Sequence, residues 1–130
     1  MVAEPHSKLS QRNVMLLGNR ADSENIYQAF DLLLFPSLFE GMSLVTLEAQ
    51  AEGLPILCSD TIDEKTDITR TIKFMSLQKS AKQWAEEIEK MDKKRKIENN
   101  TVLSKTDYNI DILAKKMEDR YIKLHKGEKI

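Results

Sequence analysis

Residues 32–59 read LLLFPSLFEGMSLVTLEAQAEGLPILCS, and this stretch decides the fold class. Its first residues, 32–35, form a continuous apolar run, which is typical of a strand buried on both faces of a parallel sheet. A second apolar run, 56–59, predicts another strand. Residues 44–52 between them favour a helix, so the stretch predicts a strand, a helix and a second strand in short succession.

Single residues mark the ends of this helix. Ser43 is placed as its N-cap, because a serine hydroxyl can accept a hydrogen bond from a free N–H group of the first turn. Gly53 lies where a glycine with positive φ commonly ends a helix, and Pro55 follows where a helix cannot continue. The chain is therefore expected to leave the first strand through a loop and to return through the helix.

The same alternation continues on both sides. The other predicted elements are a strand at Val14–Leu17, a helix capped by Asp22 or Ser23, a strand at Ile72–Met75, a helix behind a Ser80–Gln83 capping box, and a last helix capped by Asn109 or Asp107. Residues 93–101 are charged and amidic and predict a break between the last two helices. We expect Trp84, Tyr121 and Leu124, on the apolar faces of these helices, to lie in the core.

This order of elements predicts an α/β fold with a mostly parallel sheet flanked by helices. A single domain is expected over 1–130, with its core at 13–78 and its carboxyl-terminal helices at 80–126. A flavodoxin-like signalling domain shares the alternation. It would need an acidic pocket at the end of the first strand and a lysine after a late strand, and the sequence arranges neither well.

The composition restricts the function. The 130 residues are 41% hydrophobic and 32% charged, which is enough apolar material for one core. The formal net charge is -1, so no global field recruits nucleic acid or an anionic membrane. No window approaches the roughly 20 apolar residues that span a bilayer, and residues 1–10 lack a signal-peptide core. We expect a cytoplasmic protein whose membrane contact is at most peripheral, at the inner face.

The sequence predicts no metal site and no cofactor. Cys58 is the single cysteine, and its apolar neighbours indicate a small core residue rather than a catalytic thiol. The acidic group between the predicted third and fourth strands has neither the spacing nor the glycine of a calcium loop, and we expect a solvated loop there. Its members are Asp60, Asp63, Glu64 and Asp67.

The chemistry is expected at the carboxyl ends of the strands, where parallel sheets bind ligands. The loops there are 18–22, 36–43 and 59–64. Free N–H groups at the start of the helix behind Ser43 offer an anion site. Glu40 precedes the helix, and Glu48 lies a little over one turn inside it. A carboxylate can accept hydrogen bonds from two vicinal hydroxyls, so two glutamates beside an anion site fit a nucleotide-sugar, which has a sugar at each end of a diphosphate.

A simpler interpretation of the same residues stays open from spacing alone. Glu40 can merely favour the positive end of the helix, and Glu48 can be a solvent-facing helical residue. The wider pattern resembles the carboxyl-terminal part of the retaining glycosyltransferases of the GT-B fold, in particular family 4, and this resemblance implies a partial Rossmann-like domain. The resemblance runs from about Val14 to Asp60. It is carried by Val14-Met15-Leu16-Leu17-Gly18, Ala29-Phe30-Asp31, Phe35-Pro36-Ser37 with Glu40-Gly41, Leu47-Glu48-Ala49-Gln50-Ala51 and Gly53-Leu54-Pro55-Ile56.

The resemblance implies a role for each matched position. Glu40 would face the donor sugar near its anomeric carbon, as the catalytic residue, and Glu48 would take the ribose hydroxyls. Backbone N–H groups would bind the sugar and the diphosphate, and they come from Gly41, Met42, Ser43 and Leu44. The loop of Gly18, Asn19 and Arg20 would lie near the base. The implied reaction is metal-independent transfer of a glycosyl unit with retention, in bacterial polysaccharide or glycoconjugate synthesis.

The resemblance also implies that parts of the enzyme lie elsewhere. In that family an arginine and a lysine upstream of the matched region clamp the diphosphate, and neither Arg20 nor Arg70 is placed to do so. We expect the upstream half of the donor domain and the acceptor domain to be missing, the chain alone to be inactive, and its exposed strand edges to favour self-association. The alternative is a non-catalytic module that binds a nucleotide-sugar or a protein.

Overall fold

A three-stranded parallel sheet lies at the centre of the fold. The structure, a computed structural model, describes residues 13–41 and 43–128. The strands of these residues are β1 (Leu33–Phe35), β2 (Ile56–Ser59) and β3 (Ile72–Met75), in the order β1-β2-β3. In the register of the sheet Leu57 lies between Leu34 and Lys73. The predicted α/β class with a parallel sheet is confirmed.

Helices flank this sheet. They are α1 (Ser23–Ala29), α2 (Leu44–Ala51), a 3₁₀ turn (Glu64–Thr66), α3 (Ala81–Lys90), α4 (Asn99–Leu103) and α5 (Ile110–His125). The predicted N-caps of α2, α3 and α5 are confirmed, since the side chains of Ser43, Ser80 and Asn109 each accept a backbone N–H. The sequence missed α4, which falls partly inside the predicted break.

The core forms around the middle strand. All four residues of β2 are buried, as expected of a central parallel strand. Its apolar neighbours come from α1, α2, β3 and the segments that flank β2. The buried cluster consists of Tyr27, Ala49, Leu54, Ile56, Cys58, Ile62 and Ile72, with Leu33, Phe35 and Phe74 packed against it. Cys58 is therefore a core residue, as predicted, and so is Trp84 on α3.

Gly53 ends α2 in the way the sequence predicts. Its φ is +68°, its N–H donates to the Gln50 carbonyl, and the next N–H, of Leu54, donates to the Ala49 carbonyl. This pair of hydrogen bonds is the Schellman motif. A Cβ atom at Gly53 would lie 2.4 Å from the carbonyl oxygen of Lys96. Glycine is thus required twice, for its φ and for the close approach of a second segment of backbone.

Arg95 fastens the carboxyl-terminal ends of α1 and α2 together. Its Nη2 donates to the carbonyls of Tyr27, at 2.6 Å, and Phe30, at 2.5 Å, while its Nη1 donates to that of Glu52 at 2.9 Å. Carbonyls at helix ends lack intrahelical partners, and a cation there also opposes the negative end of the helix dipole. One side chain therefore stabilises two helix ends at the edge of the sheet where the strands begin.

Two predictions about burial are wrong at the amino-terminal side. Val14–Leu17 forms no strand, and its side chains are between 43% and 82% exposed. No described strand lies beside it, and a strand exists only where another one pairs with its backbone. The run at 32–35 is likewise not buried on both faces. β1 is an edge strand in the described sheet, and Leu34 is 45% exposed.

The last helix does not join the core. α5 is helical as predicted, but none of its described residues is buried. Tyr121 and Leu124 are 63% and 50% exposed, so the expectation that they lie in the core is wrong. The apolar stripe of this helix keeps its 3.6-residue period while its face has no cover among residues 13–41 and 43–128.

Candidate functional site

The loop after β1 is anchored to the end of β2. The carbonyl of Ser37 accepts hydrogen bonds from two hydroxyls, those of Ser59 and of Thr61, the latter at 2.8 Å. These two hydroxyls are themselves 2.9 Å apart. Because β1 and β2 are parallel, their carboxyl ends meet at one edge of the sheet, and this cluster fixes the path of the chain toward Glu40 there.

Glu40 is held by its own loop. The hydroxyl of Ser37 lies 3.0 Å from Glu40 Oε1 and donates to it, and the glutamate is half-buried. The other carboxylate oxygen has no donor among the described residues, so it can still accept a hydroxyl of a ligand. The structure thus places Glu40 where the sequence predicts it, at the carboxyl edge of the sheet and just before α2.

The start of α2 faces the same edge. Ser43 is buried, its hydroxyl accepts the N–H of Thr46 at 3.4 Å, and the hydroxyl of Thr46 returns a bond of 2.9 Å to the Ser43 carbonyl. The N–H groups of Leu44 and Val45 have no partner in the described part of the chain. With the helix dipole, these free donors make the start of α2 attractive to an anion. Met42, predicted as a further donor, lies outside the described residues.

Glu48 is exposed on α2, about 6 Å along the axis from Leu44. Helical side chains lean toward the amino terminus of their helix, so its carboxylate leans toward the anion site. It borders two cavities. One, of about 380 Å³, is lined by Leu44, Leu47 and Tyr108 among others, and the smaller one, of about 150 Å³, adjoins Tyr27. Burial, together with the Glu48 carboxylate, raises the pKa of Tyr27 to about 12.

A cation that the sequence analysis missed lies beside Gly41. Lys65, with Asp63, Thr66 and Tyr108, lines a cavity of about 230 Å³ that Gly41 borders. Lys65 belongs to the 3₁₀ turn after β2, one residue beyond the loop that the sequence assigned to this edge. The signal that could have found it is the same strand-end rule, extended to the next turn of the chain.

Gln50 holds the rear of α2 in place, a role that the sequence did not reveal. It is fully buried, and its Oε1 accepts hydrogen bonds from the N–H groups of Ile68 and Thr69 and from the Thr69 hydroxyl, at 3.0 to 3.1 Å. Its Nε2 donates to the carbonyl of Thr66 at 2.9 Å. Gln50 thereby fixes the segment carrying Lys65 relative to the helix carrying Glu48.

The structure does not bring the predicted base-binding loop into these cavities. Gly18 has a φ of +67°, and Arg20 forms a bidentate ion pair with Asp22, with contacts of 2.6 and 2.8 Å. This pair lowers the pKa of Asp22, and both side chains are exposed. The cavities beside Glu48 are not lined by Gly18, Asn19 or Arg20.

Neither a cluster of metal ligands nor a reactive thiol is found among the described residues. No three histidine, cysteine, aspartate or glutamate side chains among 13–41 and 43–128 come together as a metal would require. Burial, with Asp67 nearby, raises the pKa of Cys58 to about 12, so its thiol stays protonated and is a poor nucleophile. Over the same residues, none of the helices has the length and apolar character needed to cross a bilayer.

Comparison with known proteins gives two partial relatives. The chain is 40% identical over 81 residues to a Bacillus subtilis protein named "Putative glycosyltransferase EpsF", an alignment covering 58% of this chain and 20% of the relative. It is 48% identical over 50 residues to the Escherichia coli UDP-Gal:alpha-D-GlcNAc-diphosphoundecaprenol alpha-1,3-galactosyltransferase, covering 38% and 13%. The chain thus matches at most a fifth of either relative's length.

Agreement with a protein family extends further along the chain. The family model described as "Glycosyl transferases group 1" matches residues 2–93, more than half of the sequence. This range contains the whole sheet, the loop of Glu40 and the helix of Glu48. No solved structure matches the chain. Because the match covers more than half of the chain and includes the whole α/β sheet, the chain belongs to the group 1 glycosyl transferases.

Proposed function

We propose that this chain is the nucleotide-sugar-binding part of a retaining glycosyltransferase of the GT-B fold, family 4, acting in bacterial polysaccharide or glycoconjugate synthesis. One observation carries the proposal. The capped start of α2 lies at the carboxyl edge of a parallel sheet, with Glu40 on the loop before it and Glu48 about one turn inside it. Free N–H groups that can bind an anion, with a carboxylate on either side, fit a diphosphate with a sugar at either end.

The proposed roles divide the donor among these groups. Glu40 binds the transferred sugar and acts at its anomeric carbon, while Glu48 accepts hydrogen bonds from the ribose diol. N–H groups at the start of α2 cradle the diphosphate, and they come from Gly41, Met42, Ser43 and Leu44. Lys65, which lines the cavity beside Gly41 together with Asp63, is proposed to donate a charge-assisted hydrogen bond to the diphosphate. Gly18, Asn19 and Arg20 remain proposed contacts of the base.

The donor is proposed to be a nucleoside diphosphate sugar, with no metal. The name of the Escherichia coli relative gives UDP-Gal as its donor and alpha-D-GlcNAc-diphosphoundecaprenol as its acceptor. We extend only the donor class to this chain. The protein is further proposed to work in the cytoplasm, with at most peripheral contact with the inner face of the membrane.

A binding experiment tests the donor site. Isothermal titration of the chain with UDP-galactose, UDP-glucose and GDP-mannose is expected to show binding of at least one of them. Glu48→Gln keeps the size of the side chain but removes its charge, and a hydrogen bond to a charged group contributes about 1.5–3 kcal/mol. We expect about tenfold to hundredfold weaker binding. Glu118→Gln on α5 is the matched control, and its affinity should equal that of the unaltered chain.

Three results would count against all or part of the donor site. Equal affinity of Glu48→Gln and the unaltered chain would remove the ribose role of Glu48. Equal affinity for the nucleotide-sugar and for the free sugar phosphate would remove the nucleoside from the ligand. If Glu48→Gln leaves binding intact but a substitution of Glu40 weakens it, the role of Glu40 at the transferred sugar would stand and the role of Glu48 at the ribose would be rejected.

We also propose that this chain by itself has negligible transferase activity. It corresponds to 20% and 13% of the two relatives, and Lys65 is the sole cation that lines the cavity beside Gly41 in the described residues. Stabilisation of the leaving diphosphate is usually a large part of catalysis, so activity should fall with the missing charges. Release of UDP from UDP-galactose by the purified chain, above the rate in buffer, would contradict this. Binding without turnover would fit the proposal as well as the alternative, a non-catalytic module.

A further inference from the structure

A further cavity lies at the opposite edge of the sheet, where β2 and β3 begin. Its volume is about 470 Å³, within the range of small-molecule sites, about 300–1,000 Å³. One wall comes from the residues that precede β2 and β3, and the other from the end of α3 and the segment that follows it. None of the residues of the candidate donor site lines it.

The lining of this cavity is strongly basic. Its five cationic side chains are Arg70, Lys73, Lys90, Lys94 and Lys96, and its one carboxylate is Asp92. Lys73 forms an ion pair with Glu87. The other four cations have no carboxylate within ion-pair distance among the described side chains. The chain as a whole has a net charge of -1, so this positive charge is local, and three of the five cations come from the basic run 90–96.

The backbone places Arg70 at this cavity. Its φ is +56°, a left-handed conformation that non-glycine residues rarely adopt. Hydrogen bonds on both sides maintain it. Asp67 Oδ1 accepts the N–H groups of Thr71 and Ile72, at 2.9 and 3.2 Å, while Gln50 holds the N–H groups that precede Arg70. Such a conformation persists only where the surroundings determine it fully.

We propose that this cavity binds a phosphorylated ligand through its four unpaired cations. Concave sites lined by one sign of charge concentrate the field, and guanidinium and ammonium groups form charge-assisted hydrogen bonds with phosphoryl oxygens. A ligand with a single carboxylate group carries too little negative charge to engage four cations. A ligand with a diphosphate group carries enough. The ligand is either a soluble phosphate compound or the headgroup of an anionic lipid. This site is separate from the donor site and does not depend on it.

An NMR titration of the isotopically labelled chain with inorganic pyrophosphate tests the site. We expect amide shifts at 70–73 and 90–96, and any response at 41–45 reports the donor site independently. Lys90→Ala/Lys94→Ala removes two cations of the cavity and should weaken binding there about tenfold or more. Lys115→Ala/Lys123→Ala on α5 removes the same charge elsewhere and should leave it unchanged. No shifts at 70–73 and 90–96, or equal affinity of the two variants, would overturn the proposal.

Vesicles distinguish the two sources of the phosphoryl group. The cavity would be assigned to a lipid headgroup if the chain cosediments with phosphatidylglycerol–phosphatidylcholine vesicles and two conditions hold. The Lys90→Ala/Lys94→Ala variant must not cosediment, and pyrophosphate must release the unaltered chain from the vesicles. Pyrophosphate binding without cosedimentation would assign it to a soluble ligand. Vesicle binding that the α5 variant weakens as much as the cavity variant would overturn the lipid assignment. Higher salt should weaken every form of this binding, because screening acts on exposed charges.

Discussion

Gln50 shows how a single buried amide can set the geometry of a site that it does not touch. It makes hydrogen bonds to the backbone of Thr66, Ile68 and Thr69, which belong to the segment after β2. Gln50→Leu would remove these three hydrogen bonds, each worth about 0.5–1.5 kcal/mol, and would leave the N–H of Thr69 without a partner, while the Ile68 N–H still donates to the Thr66 carbonyl. We expect the free energy of unfolding to fall by about 2–4 kcal/mol in urea titrations.

The control for this prediction is Gln78→Leu, an exposed position, where the change should stay within about 0.5 kcal/mol. A loss at Gln50 as small as the loss at Gln78 would show that its hydrogen bonds do not fix the segment. Donor binding provides a second measurement, since displacement of Lys65 should also weaken the affinity of Gln50→Leu for UDP.

Cys58 predicts how stability responds to alkaline pH. Burial raises the pKa of its thiol from 9.0 to about 12, and that of the Tyr27 hydroxyl rises from 10.0 to about 12. Below pH 9 both states keep these protons, and stability does not depend on them. Above pH 9 the unfolded chain releases them first, so the free energy of unfolding should fall as pH rises toward 12. Unfolding curves between pH 7 and pH 11 measure this fall, which Cys58→Ala should reduce.

The same thiol gives a simpler measurement. At pH 8 the fraction of Cys58 present as thiolate should be about a thousandfold lower in the folded chain than in the unfolded one. Iodoacetamide should therefore modify the native chain slowly and the urea-unfolded chain rapidly. Equal rates in the two states would show that Cys58 is accessible, against its complete burial.

At the scale of elements, a comparison of Gly53 with Gly127 distinguishes two reasons for a glycine at a helix end, positive φ and close contact with another segment. Gly53 and Gly127 both follow a helix in a Schellman motif with positive φ, at +68° and +71°. Only Gly53 faces backbone, that of Lys96, while a Cβ at Gly127 would meet nothing within 4 Å. Gly127→Ala should destabilise by about 1 kcal/mol through φ alone, and Gly53→Ala by about 3 kcal/mol or more.

Thermal unfolding of the two glycine variants gives the comparison directly. Equal shifts in Tm would mean that the segment carrying Lys96 moves aside easily, and that the close approach at Gly53 costs little. The unaltered chain and Gly18→Ala, at a third positive φ with open space around it, complete the series.

Local signals explain which elements the sequence could predict. The helix α2 follows from Ser43 and Gly53, and β2 follows from an apolar run between turn residues. The strand expected at Val14–Leu17 has the same kind of run, but its formation depends on a neighbouring strand, which a local pattern does not reveal. The five-residue helix α4 is too short to show a helical period.

The candidate site divides in the same way. Glu40, Ser43 and Glu48 could be placed because their loop and helix follow directly from a strand end. Gln50 could not, because its role depends on how the segment 60–71 folds back onto α2, whereas Lys65 required only that the strand-end rule be carried one residue further. For α5 the sequence indicates which face is apolar, but not what covers it, and the structure leaves Tyr121 exposed.

At the scale of the whole molecule, the open edge of β1 predicts self-association. β1 pairs with β2 on one side, and in the described residues no strand pairs with the other. Unpaired strand edges tend to pair with a second chain. We therefore expect the average mass in sedimentation equilibrium to rise with concentration. Leu34→Lys places a charge on this edge strand and should weaken association about tenfold.

The matched control for this edge is Leu124→Lys on α5, where a similar exposed apolar side chain is replaced. It should leave the association constant unchanged. If Leu124→Lys weakens association as much as Leu34→Lys, the contact lies on the helix. A monomer at every concentration would show that the edge does not pair at all.

The guanidinium of Arg95 has a mechanical consequence. Because it clamps α1 and α2 at their shared base, neither helix can tilt without taking the other along. A ligand that displaces the amino-terminal end of α2 would therefore rotate α1 and α2 together, as one rigid body, about their joined carboxyl-terminal ends. In hydrogen exchange, the amides of both helices should then open in concert, with a common protection factor.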